Sequence, residues 1–397
     1  MIKIGFVINF DYKSWYGGTN VIKNLIYCIQ KYSKNNYEPV LFVRSSLKKK
    51  ELKEFNSIKI VKTNIFDVSI LNRIFYKVLI LLFGRCYRFD SFFEKHNIKV
   101  ISHINTYAYN FFTGYKSSIK CISWVTDFQH LYYPKYFSIK NKFLRNFNIV
   151  LCSLHSSKIL VSSYKAQNDL KKISIKAFSK SVVNQFYFKF DKSKDIISFL
   201  ELKKILNIKK NFFFISNQYW AHKNYEIVLE SLFFLKKNNK LNNLLILSTG
   251  NSNDHRNKNY FDKIMKLVEK YNLNDNFKYL GVVTFQQVLS LMYHSIALIN
   301  PSKFEGRNVS VEQARSMGKK IILSDIGIHR EQNTPRTVFF NPNDYKKLAS
   351  IIFNTYIKHN INIEKRYSQK VNDKNTYNLC KYFHNYEKII KSVINLK

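Results

Sequence analysis

The residues most suited to chemistry lie in the segment INPSKFEGRNVSVEQARSMGKKIILSD, residues 299–325. An apolar strand is followed by a loop with Glu305 and Gly306, by a helix predicted from about Asn308, and by a second strand. The first amides of a helix carry partial positive charge and lack partners within the helix. The pattern therefore predicts an anion site, suited to a diphosphate, at this helix N-terminus.

This site would be formed by the backbone of Gly306 and by the amides of Arg307, Asn308 and Val309. The guanidinium of Arg307 would add further N–H donors. Glu305 precedes the helix and could accept hydrogen bonds from sugar hydroxyls. The alternative is that Glu305 is only a favourable charge beside the first helical turn.

Two further segments place polar groups after a strand. Lys223 in SNQYWAHKNYEIVLESL follows a strand and opens a helix. At this position its ammonium group would lie at the edge of a crevice and could bind an anion. The alternative is an exposed surface lysine. Gly17 and Gly18 in WYGGTNVIKNL open the first helix, where a backbone without side chains can approach an anion. A bare turn explains this glycine pair equally well.

The segment ISWVTDFQHLYYP ends a strand with Asp127, Gln129 and His130. Asp127 and Gln129 are candidate acceptor ligands, and Asp127 is alternatively a helix cap. His130 could contact the sugar undergoing transfer, or it could be a buried histidine satisfied by its neighbours.

The elements that position these residues alternate between short β-branched runs and longer helical patterns, as in βαβ units. Strands are predicted at residues 2–9, 39–43 and 147–153, and after a charged stretch the alternation restarts at residues 212–216. Residues 377–390 have helical spacing and are predicted to dock as a C-terminal helix. Because ligands of open α/β sheets lie beyond the carboxyl ends of the strands, the loops named above are the expected sites.

Residues 299–325 resemble the nucleotide-sugar site of family 4 (group 1) glycosyltransferases of the GT-B fold, whose signature is Glu, seven residues, Glu. Glu305 matches the first acid, whereas Gln313 occupies the second position and Glu312 is its neighbour. A glutamine can still bind a ribose hydroxyl pair, with a neutral hydrogen bond about half as strong as a charge-assisted one.

The resemblance covers nearly the whole chain and implies roles for other residues. Lys223 would contact the donor phosphates, and Gln218 stands where the family has an arginine, so that Arg307 would have to supply the missing charge. Gly17 and Gly18 would form the N-terminal glycine loop, whereas His130 matches a family histidine. Gly250 would lie on the base side of the donor, and Val283 would pack against the nucleobase.

The fold implied is α/β GT-B: two tandem Rossmann-like, doubly wound parallel-sheet domains facing a cleft. We expect an acceptor-binding domain at residues 1–195, a nucleotide-sugar-binding domain at 196–375, and a helix at 376–397 that crosses back to the N-terminal domain.

Composition limits the alternatives. The chain has 65 Lys and Arg against 26 Asp and Glu, a net charge of +39, which attracts anionic surfaces and is also typical of an AT-biased coding sequence. Five cysteines without metal-binding spacing indicate neither a disulfide framework nor a zinc site.

No apolar run approaches the roughly 20 residues of a membrane span. Residues 70–92 could form an interfacial helix or a core-facing amphipathic helix.

The sequence therefore predicts a cytoplasmic glycosyltransferase that moves a sugar from a nucleotide-diphosphate sugar to a glycan or lipid-linked saccharide in surface polysaccharide synthesis. The resemblance implies retention of anomeric configuration and no metal. The nucleotide sugar is a co-substrate with an unidentified base, and no other cofactor and no nucleic acid partner is expected. Peripheral contact with the inner face of an anionic membrane is an additional hypothesis. The alternatives are a nucleotide-sugar epimerase of the same architecture, an inactive homologue, and a basic binder of anionic surfaces.

Overall fold

The structure is a computed structural model that describes residues 1–8, 16–48, 52, 55, 57–107, 113–241, 243–254 and 256–395. The chain divides into two compact units, Met1–Tyr187 with Tyr377–Lys397, and Phe188–Thr376. The first division comes earlier than the predicted residue 195, because Phe190 packs against a core cluster of the second unit.

The first unit is built on a parallel sheet with helices between its strands. In chain order its strands are β1 (Ile2–Ile8), β2 (Tyr37–Arg44), β3 (Lys59–Thr63), β4 (Ile98–Asn105), β5 (Lys120–Val125), β6 (Lys158–Val161) and β7 (Ser181–Val183). Its helices are α1 (Tyr16–Tyr32), α2 (Ile70–Phe83), α3 (Tyr87–Lys95), α4 (Gln129–Tyr132), α5 (Ile139–His155), α6 (Tyr164–Ile173) and α7 (Ile175–Ser179).

The seven strands lie in the order β3-β2-β1-β4-β5-β6-β7. All their pairings are parallel; for example, Ile4 of β1 lies opposite Pro39 of β2 and opposite Val100 of β4. Inner strands such as β1 and β4 are mostly buried, as expected for a parallel sheet covered by helices, whereas the edge strands β3 and β7 are partly exposed. The sheet order changes direction between β1 and β4, which is where a doubly wound fold has its crevice.

The prediction of a strand at residues 147–153 is wrong, because these residues lie in α5. Ser138 caps that helix by accepting a hydrogen bond from the Asn141 amide, and Ile149 and Cys152 turn inward one helical turn apart. A short apolar run such as this one fits a buried strand and a buried helix equally well. The strand expected in this region is β6, which begins at Lys158.

The second unit repeats the architecture with a smaller sheet. Its strands are β8 (Phe212–Ser216), β9 (Leu245–Thr249), β10 (Phe277–Tyr279), β11 (Leu298–Asn300), β12 (Ile321–Ser324) and β13 (Thr337–Phe340). Its helices are α8 (Lys192–Asp195), α9 (Phe199–Leu206), α10 (Tyr225–Lys237), α11 (Tyr260–Lys270), α12 (Phe285–His294), α13 (Val309–Ser316), α14 (Gly327–Glu331) and α15 (Tyr345–Ile357).

The six strands lie in the order β10-β9-β8-β11-β12-β13 and are parallel. The order reverses between β8 and β11, since the chain first builds outward from β8 to β10 and then returns to start β11 on the other side. Two apolar clusters, one on each face of this sheet, fix the strands in place.

The last helix, α16 (Ile361–Ile394), contributes to both units, and its part from Tyr377 onward belongs to the first. Tyr382, Tyr386, Ile389 and Val393, the residues singled out by their helical spacing, are all at most 5% exposed. Within the described ranges, no helix is long and apolar enough to cross a membrane.

Candidate active site

Lys223 and Glu305 form a buried ion pair at the carboxyl edge of the second sheet. Lys223 Nζ lies 2.6 Å from Glu305 Oε1, and the two side chains are 10% and 9% exposed. Lys223 follows β8 and Glu305 follows β11, which are the two strands on either side of the reversal in sheet order. Ligands of open α/β sheets bind at such a reversal, so the topology itself brings the two predicted residues together.

The two loops that carry this pair are tied to each other by further hydrogen bonds. Lys223 ends a short 3-10 turn. The next residue, Asn224, has a φ of 59° and is the N-cap of α10. The Asn224 side-chain amide donates to the carbonyl of Pro301 at 3.1 Å, and the Lys303 amide donates to the carbonyl of His222 at 2.8 Å. The lysine and the carboxylate are therefore held by backbone and side-chain contacts on both loops.

The Glu305 carboxylate is held in its ionised form. Burial alone would raise the pKa of Glu305, but the charge of Lys223, assisted by His222, His329 and the hydrogen bond from Lys223, outweighs it and lowers the pKa to about 2. The Asn308 side-chain amide also donates to Glu305 Oε1 at 2.8 Å. Glu305 is therefore a hydrogen-bond acceptor at neutral pH and a poor proton donor.

The helix predicted after this loop is α13, and Asn308 is its N-cap. The Asn308 side-chain oxygen accepts from the Val311 amide at 3.0 Å, as a capping residue should. The prediction that the Asn308 amide is free is wrong, because this amide donates to Gln332 Oε1 at 3.1 Å. Val309 begins α13, and its amide has no hydrogen-bond partner in the part of the chain that the structure describes.

Arg307 and Glu312 are committed to a buried network of their own. Arg307 Nη2 lies 2.5 Å from Glu312 Oε1, and neither side chain is more than 1% exposed. Arg315 donates to both Glu312 oxygens at 2.7 and 2.8 Å, and Gln332 Nε2 donates to Oε1 at 2.8 Å. In this conformation the Glu312 carboxylate is engaged by both arginines and Gln332, and Arg307 is ion-paired to it, while the roles of Arg307 and Glu312 towards a donor stay predictions.

Gln313 differs from its neighbour Glu312 in this respect. Its side chain is 4% exposed, yet among the described residues its amide makes no side-chain hydrogen bond. This amide is not among the fully buried polar atoms that lack a partner, so a ligand or water can reach it. This difference favours Gln313 over Glu312 as the residue that meets a donor.

Two other buried polar atoms near this edge lack a partner within the described ranges, Asn217 Nδ2 and His329 Nε2. The His329 imidazole donates through Nδ1 to the carbonyl of Ser324 at 2.8 Å, so its Nε2 carries a lone pair. Burial lowers the pKa of His329 to about 4, which keeps the ring neutral at pH 7. His329 was not among the predicted site residues, although it lies shortly after the end of β12, where a site residue is expected.

The remaining predicted residues of this unit lie on neighbouring loops. Gly250 directly follows β9 and has a φ of 138°, and a Cβ there would lie 2.2 Å from the Asn217 carbonyl oxygen, so only glycine fits. Gln218 is half-buried after β8, and Val283 is half-buried and packs against an apolar cluster. Gly306 is half-buried beside Glu305.

The residues predicted in the first unit form a separate cluster around Arg145 of α5. Arg145 Nη1 lies 3.1 Å from Asp127 Oδ1 and 3.4 Å from His130 Nδ1, and His130 Nε2 lies 2.8 Å from Asn146 Oδ1. Both ring nitrogens of His130 are therefore engaged, and the ring is 2% exposed. This geometry favours the alternative of a satisfied, buried histidine over a catalytic one.

Asp127 lies one residue before Phe128, the N-cap of α4, and its Oδ1 accepts from the Gln129 amide at 3.0 Å, which is close to the capping role that was its alternative assignment. Burial would raise the pKa of Asp127, but Arg145 and this amide bond lower it. Gln129 is buried beside it. Gly17 and Gly18 lie in the first turn of α1, as expected, whereas residues 9–15 before that helix lie outside the described residues.

Comparison with known proteins links this site to an enzyme family. Residues 197–371 match the family described as Glycosyl transferases group 1, and this range contains both Lys223 and Glu305. The predicted resemblance to a group 1 glycosyltransferase is therefore confirmed for these residues, whereas the finer assignment to family 4 stays a prediction.

One curated protein is similar in sequence, and solved structures share the fold. The O-antigen chain mannosyltransferase RfbU of Salmonella typhimurium is 26% identical over 233 residues, 58% of this chain and 59% of that protein, so the match leaves much of the relative unaligned. A glycosyltransferase from Rickettsia africae has a TM-score of 0.67 at 15% identity and covers 100% of this chain and 99% of its own. Anabaena Alr3699/HepE, in complex with UDP and glucose, has a TM-score of 0.66 at 14% identity and covers 100% of both chains. The expected GT-B fold is confirmed.

Proposed function

We propose that this chain transfers a sugar from a nucleotide-diphosphate sugar to a glycan or lipid-linked saccharide. The observation that carries the proposal is the buried pair of Lys223 and Glu305 beside the reversal of the second sheet, within the residues that match the glycosyltransferase family. UDP and glucose in HepE, and the O-antigen acceptor named for RfbU, support a nucleotide sugar and a surface saccharide as the substrate classes.

Each member of the pair has a distinct task. The three N–H groups of Lys223 can donate both to Glu305 and to a donor phosphate oxygen. The Glu305 carboxylate, ionised because its pKa is about 2, accepts hydrogen bonds from the hydroxyls of the transferred sugar. Gln313, whose side-chain amide is left without a partner among the described residues, meets the ribose hydroxyls.

The chemical step uses these groups for electrostatic stabilisation. The bond between the anomeric carbon and the diphosphate oxygen breaks with its electron pair on the diphosphate, while the acceptor oxygen forms the new bond and passes its proton to an oxygen of the departing diphosphate. Lys223 and the Val309 amide stabilise the charge that develops on the leaving group. We propose that the reaction retains the anomeric configuration and needs no metal, as the family resemblance implies.

An epimerase is the less favoured alternative because it needs groups that move a proton at the sugar ring. Glu305 is paired with Lys223 and remains ionised far below neutral pH, and Glu312 is engaged by two arginines and Gln332. The other alternative, an inactive homologue, is motivated by Gln313 and Gln218 at positions where the family has charged residues.

Product analysis tests the proposal. The protein is incubated with nucleotide sugars of different bases and with lipid-linked saccharides, and both the released nucleoside diphosphate and the extended saccharide are measured. An extended saccharide is the expected result. An altered free nucleotide sugar would instead identify an epimerase, and a bound but unchanged donor would identify an inactive homologue.

We also propose that the protein works at the cytoplasmic face of a membrane to which it attaches peripherally. A lipid-linked acceptor is found there, and the net charge of +39 attracts anionic lipid.

A further inference from the structure

The helix α2 exposes most of its apolar side chains. Among the α2 side chains that the structure describes, Tyr76 and Ile80 alone are buried, at 8% and 1% exposure, so the expectation of a core-facing amphipathic helix accounts for this narrow face and no more. Seven other large apolar side chains of α2 are between 43% and 78% exposed: Leu71, Ile74, Phe75, Val78, Leu81, Leu82 and Phe83. The helix is therefore apolar on its solvent side as well as on its core side.

The helix α5 carries a second exposed apolar stripe. Ile139, Phe143, Phe147 and Val150 recur at helical spacing and are 83%, 66%, 39% and 38% exposed. The rings of Phe143 and Phe147 stack with centroids 6.0 Å apart. We call the exposed apolar residues of α2 and α5 together the apolar face.

The two helices that form the apolar face are neighbours in the first unit. Lys77 Nζ of α2 lies 3.4 Å from the Asn148 side-chain oxygen of α5. Monomeric soluble proteins rarely expose apolar surface over two adjoining helices, and larger patches of this kind mark an interaction site.

The charge around the apolar face has one sign. Residues 68–89 and 128–168 contain no Asp or Glu, and both segments contain several Lys and Arg. The four acids that border these segments are each paired with a cation: Asp67 with Arg44 at 3.3 Å, Asp90 with Arg85 at 3.3 Å, Asp127 with Arg145 at 3.1 Å, and Asp169 with Lys172 at 2.9 Å. A partner surface must therefore tolerate a concentrated positive charge.

An anionic lipid bilayer meets both requirements, because its acyl region accepts apolar side chains and its head groups attract lysine and arginine. A second copy of this chain would place like charges opposite each other, which disfavours association. We propose that the apolar face of α2 and α5 docks the protein on an anionic membrane surface, with its apolar side chains in the interface. This inference rests on the proposed function, in which the acceptor is carried by a lipid.

Sedimentation with vesicles tests the inference. The vesicles are phosphatidylcholine with and without phosphatidylglycerol, and binding is measured at several salt concentrations. The test variant replaces Phe75, Leu82 and Phe143 by Gln; all three side chains are more than half exposed, so the fold should persist. Its matched control replaces Ile175, Leu200 and Ile357 by Gln, which are equally exposed but lie outside the apolar face.

The wild type and the control variant should bind the anionic vesicles, more weakly as salt is raised, whereas the test variant should bind at least about tenfold more weakly. Replacing the exposed Lys116 and Lys140 by Ala should lower binding severalfold at low salt. The corresponding change at Lys266 and Lys270 of α11 should have little effect. A tryptophan placed at Phe143 should be quenched by brominated lipid in anionic vesicles.

Three results would overturn the inference. They are absence of vesicle binding at low salt, equal binding by the wild type and the test variant, and a wild-type dimer that the test variant dissociates, which would make the apolar face a contact between copies. Transfer to a water-soluble acceptor without vesicles is measured in parallel. The test variant should retain this transfer. If the wild type does not transfer sugar in this assay, the result counts against the proposed function and does not affect the result on membrane docking.

Discussion

Lys223 and Glu305 are 82 residues apart in the sequence, yet their side chains form a 2.6 Å ion pair in the buried edge of one sheet. The pair exists because β8 and β11 are adjacent strands although two other strands separate them along the chain. The two loops that carry the pair are also tied together by hydrogen bonds of Asn224 and Lys303. We interpret the pair as the centre of the donor site.

Removing either charge should abolish transfer. Lys223→Met and Glu305→Gln should each lower the rate of sugar transfer about 100-fold or more, because each removes a group that stabilises the charged transition state. The measurement is nucleoside diphosphate release with a saturating acceptor. Lys303→Met is the matched control, since Lys303 is an exposed lysine on the same loop as Glu305 and should leave the rate nearly unchanged.

The same single variants should lose about 3–5 kcal/mol of unfolding free energy, because each leaves the other charge buried without its partner. The double variant Lys223→Met with Glu305→Gln should recover much of this stability and remain inactive. Denaturant unfolding separates the two effects. A double variant that regained transfer would show that the pair is structural only.

The stability of the fold should depend on Glu305 at low pH. Because the pKa of Glu305 falls from 4.5 to about 2 on folding, its ionised form stabilises the protein above pH 4.5, and this contribution is lost as the pH falls towards 2. The wild type should therefore lose about 3 kcal/mol more unfolding free energy between pH 5 and pH 2 than the double variant. Parallel pH curves for the two proteins would contradict the ion pair.

Two glycines should respond differently to alanine. Gly250→Ala should cost about 2–4 kcal/mol, because φ is 138° and the new Cβ would meet the Asn217 carbonyl at 2.2 Å. Gly281→Ala should cost only about 1 kcal/mol, because φ is 77° and no atom lies within 4 Å of the new Cβ. Thermal unfolding compares the two variants, and equal losses would contradict the geometry of the loop after β9.

Gln313 and Glu312 should separate donor binding from stability. Gln313→Leu should leave unfolding free energy nearly unchanged, because the amide has no partner among the described residues, and should weaken donor binding about tenfold. Glu312→Leu should instead destabilise the fold, since it leaves Arg307 buried beside an apolar side chain. Calorimetric titration with the donor nucleotide measures the first effect, and unchanged affinity in Gln313→Leu would remove Gln313 from the site.

Much of this site was predictable from local patterns. Strand ends precede Glu305, the helix after it, and Lys223. In the second unit the alternation of strand and helix patterns in the sequence locates these strand ends well. The ion pair itself was not predictable, because it depends on the order of strands in the sheet. The family resemblance identified the two residues without indicating that they touch.

Other predictions failed for identifiable physical reasons. The ion pair of Arg307 with Glu312, five residues further on, was not foreseen, because it depends on the direction of the two side chains. The run NIVLC was assigned to a strand because β-branched residues fit both element types, and the Ser138 cap that starts α5 lies well before it. The environment of the apolar side chains of α2 was left open between the core and an interface. The periodicity of a sequence shows that a helix has an apolar face, but it does not show whether other elements of the protein pack against that face.

Thermal unfolding in the presence of UDP, GDP, ADP and CMP tests the central claim most directly. A nucleotide present at about a hundred times its dissociation constant stabilises the folded state by roughly 2.7 kcal/mol. We predict that one nucleoside diphosphate raises the unfolding midpoint of the wild type and that Lys223→Met abolishes this rise. No response of the folded wild type to any of the four, or an equal response in Lys223→Met, would contradict a donor site built on Lys223 and Glu305.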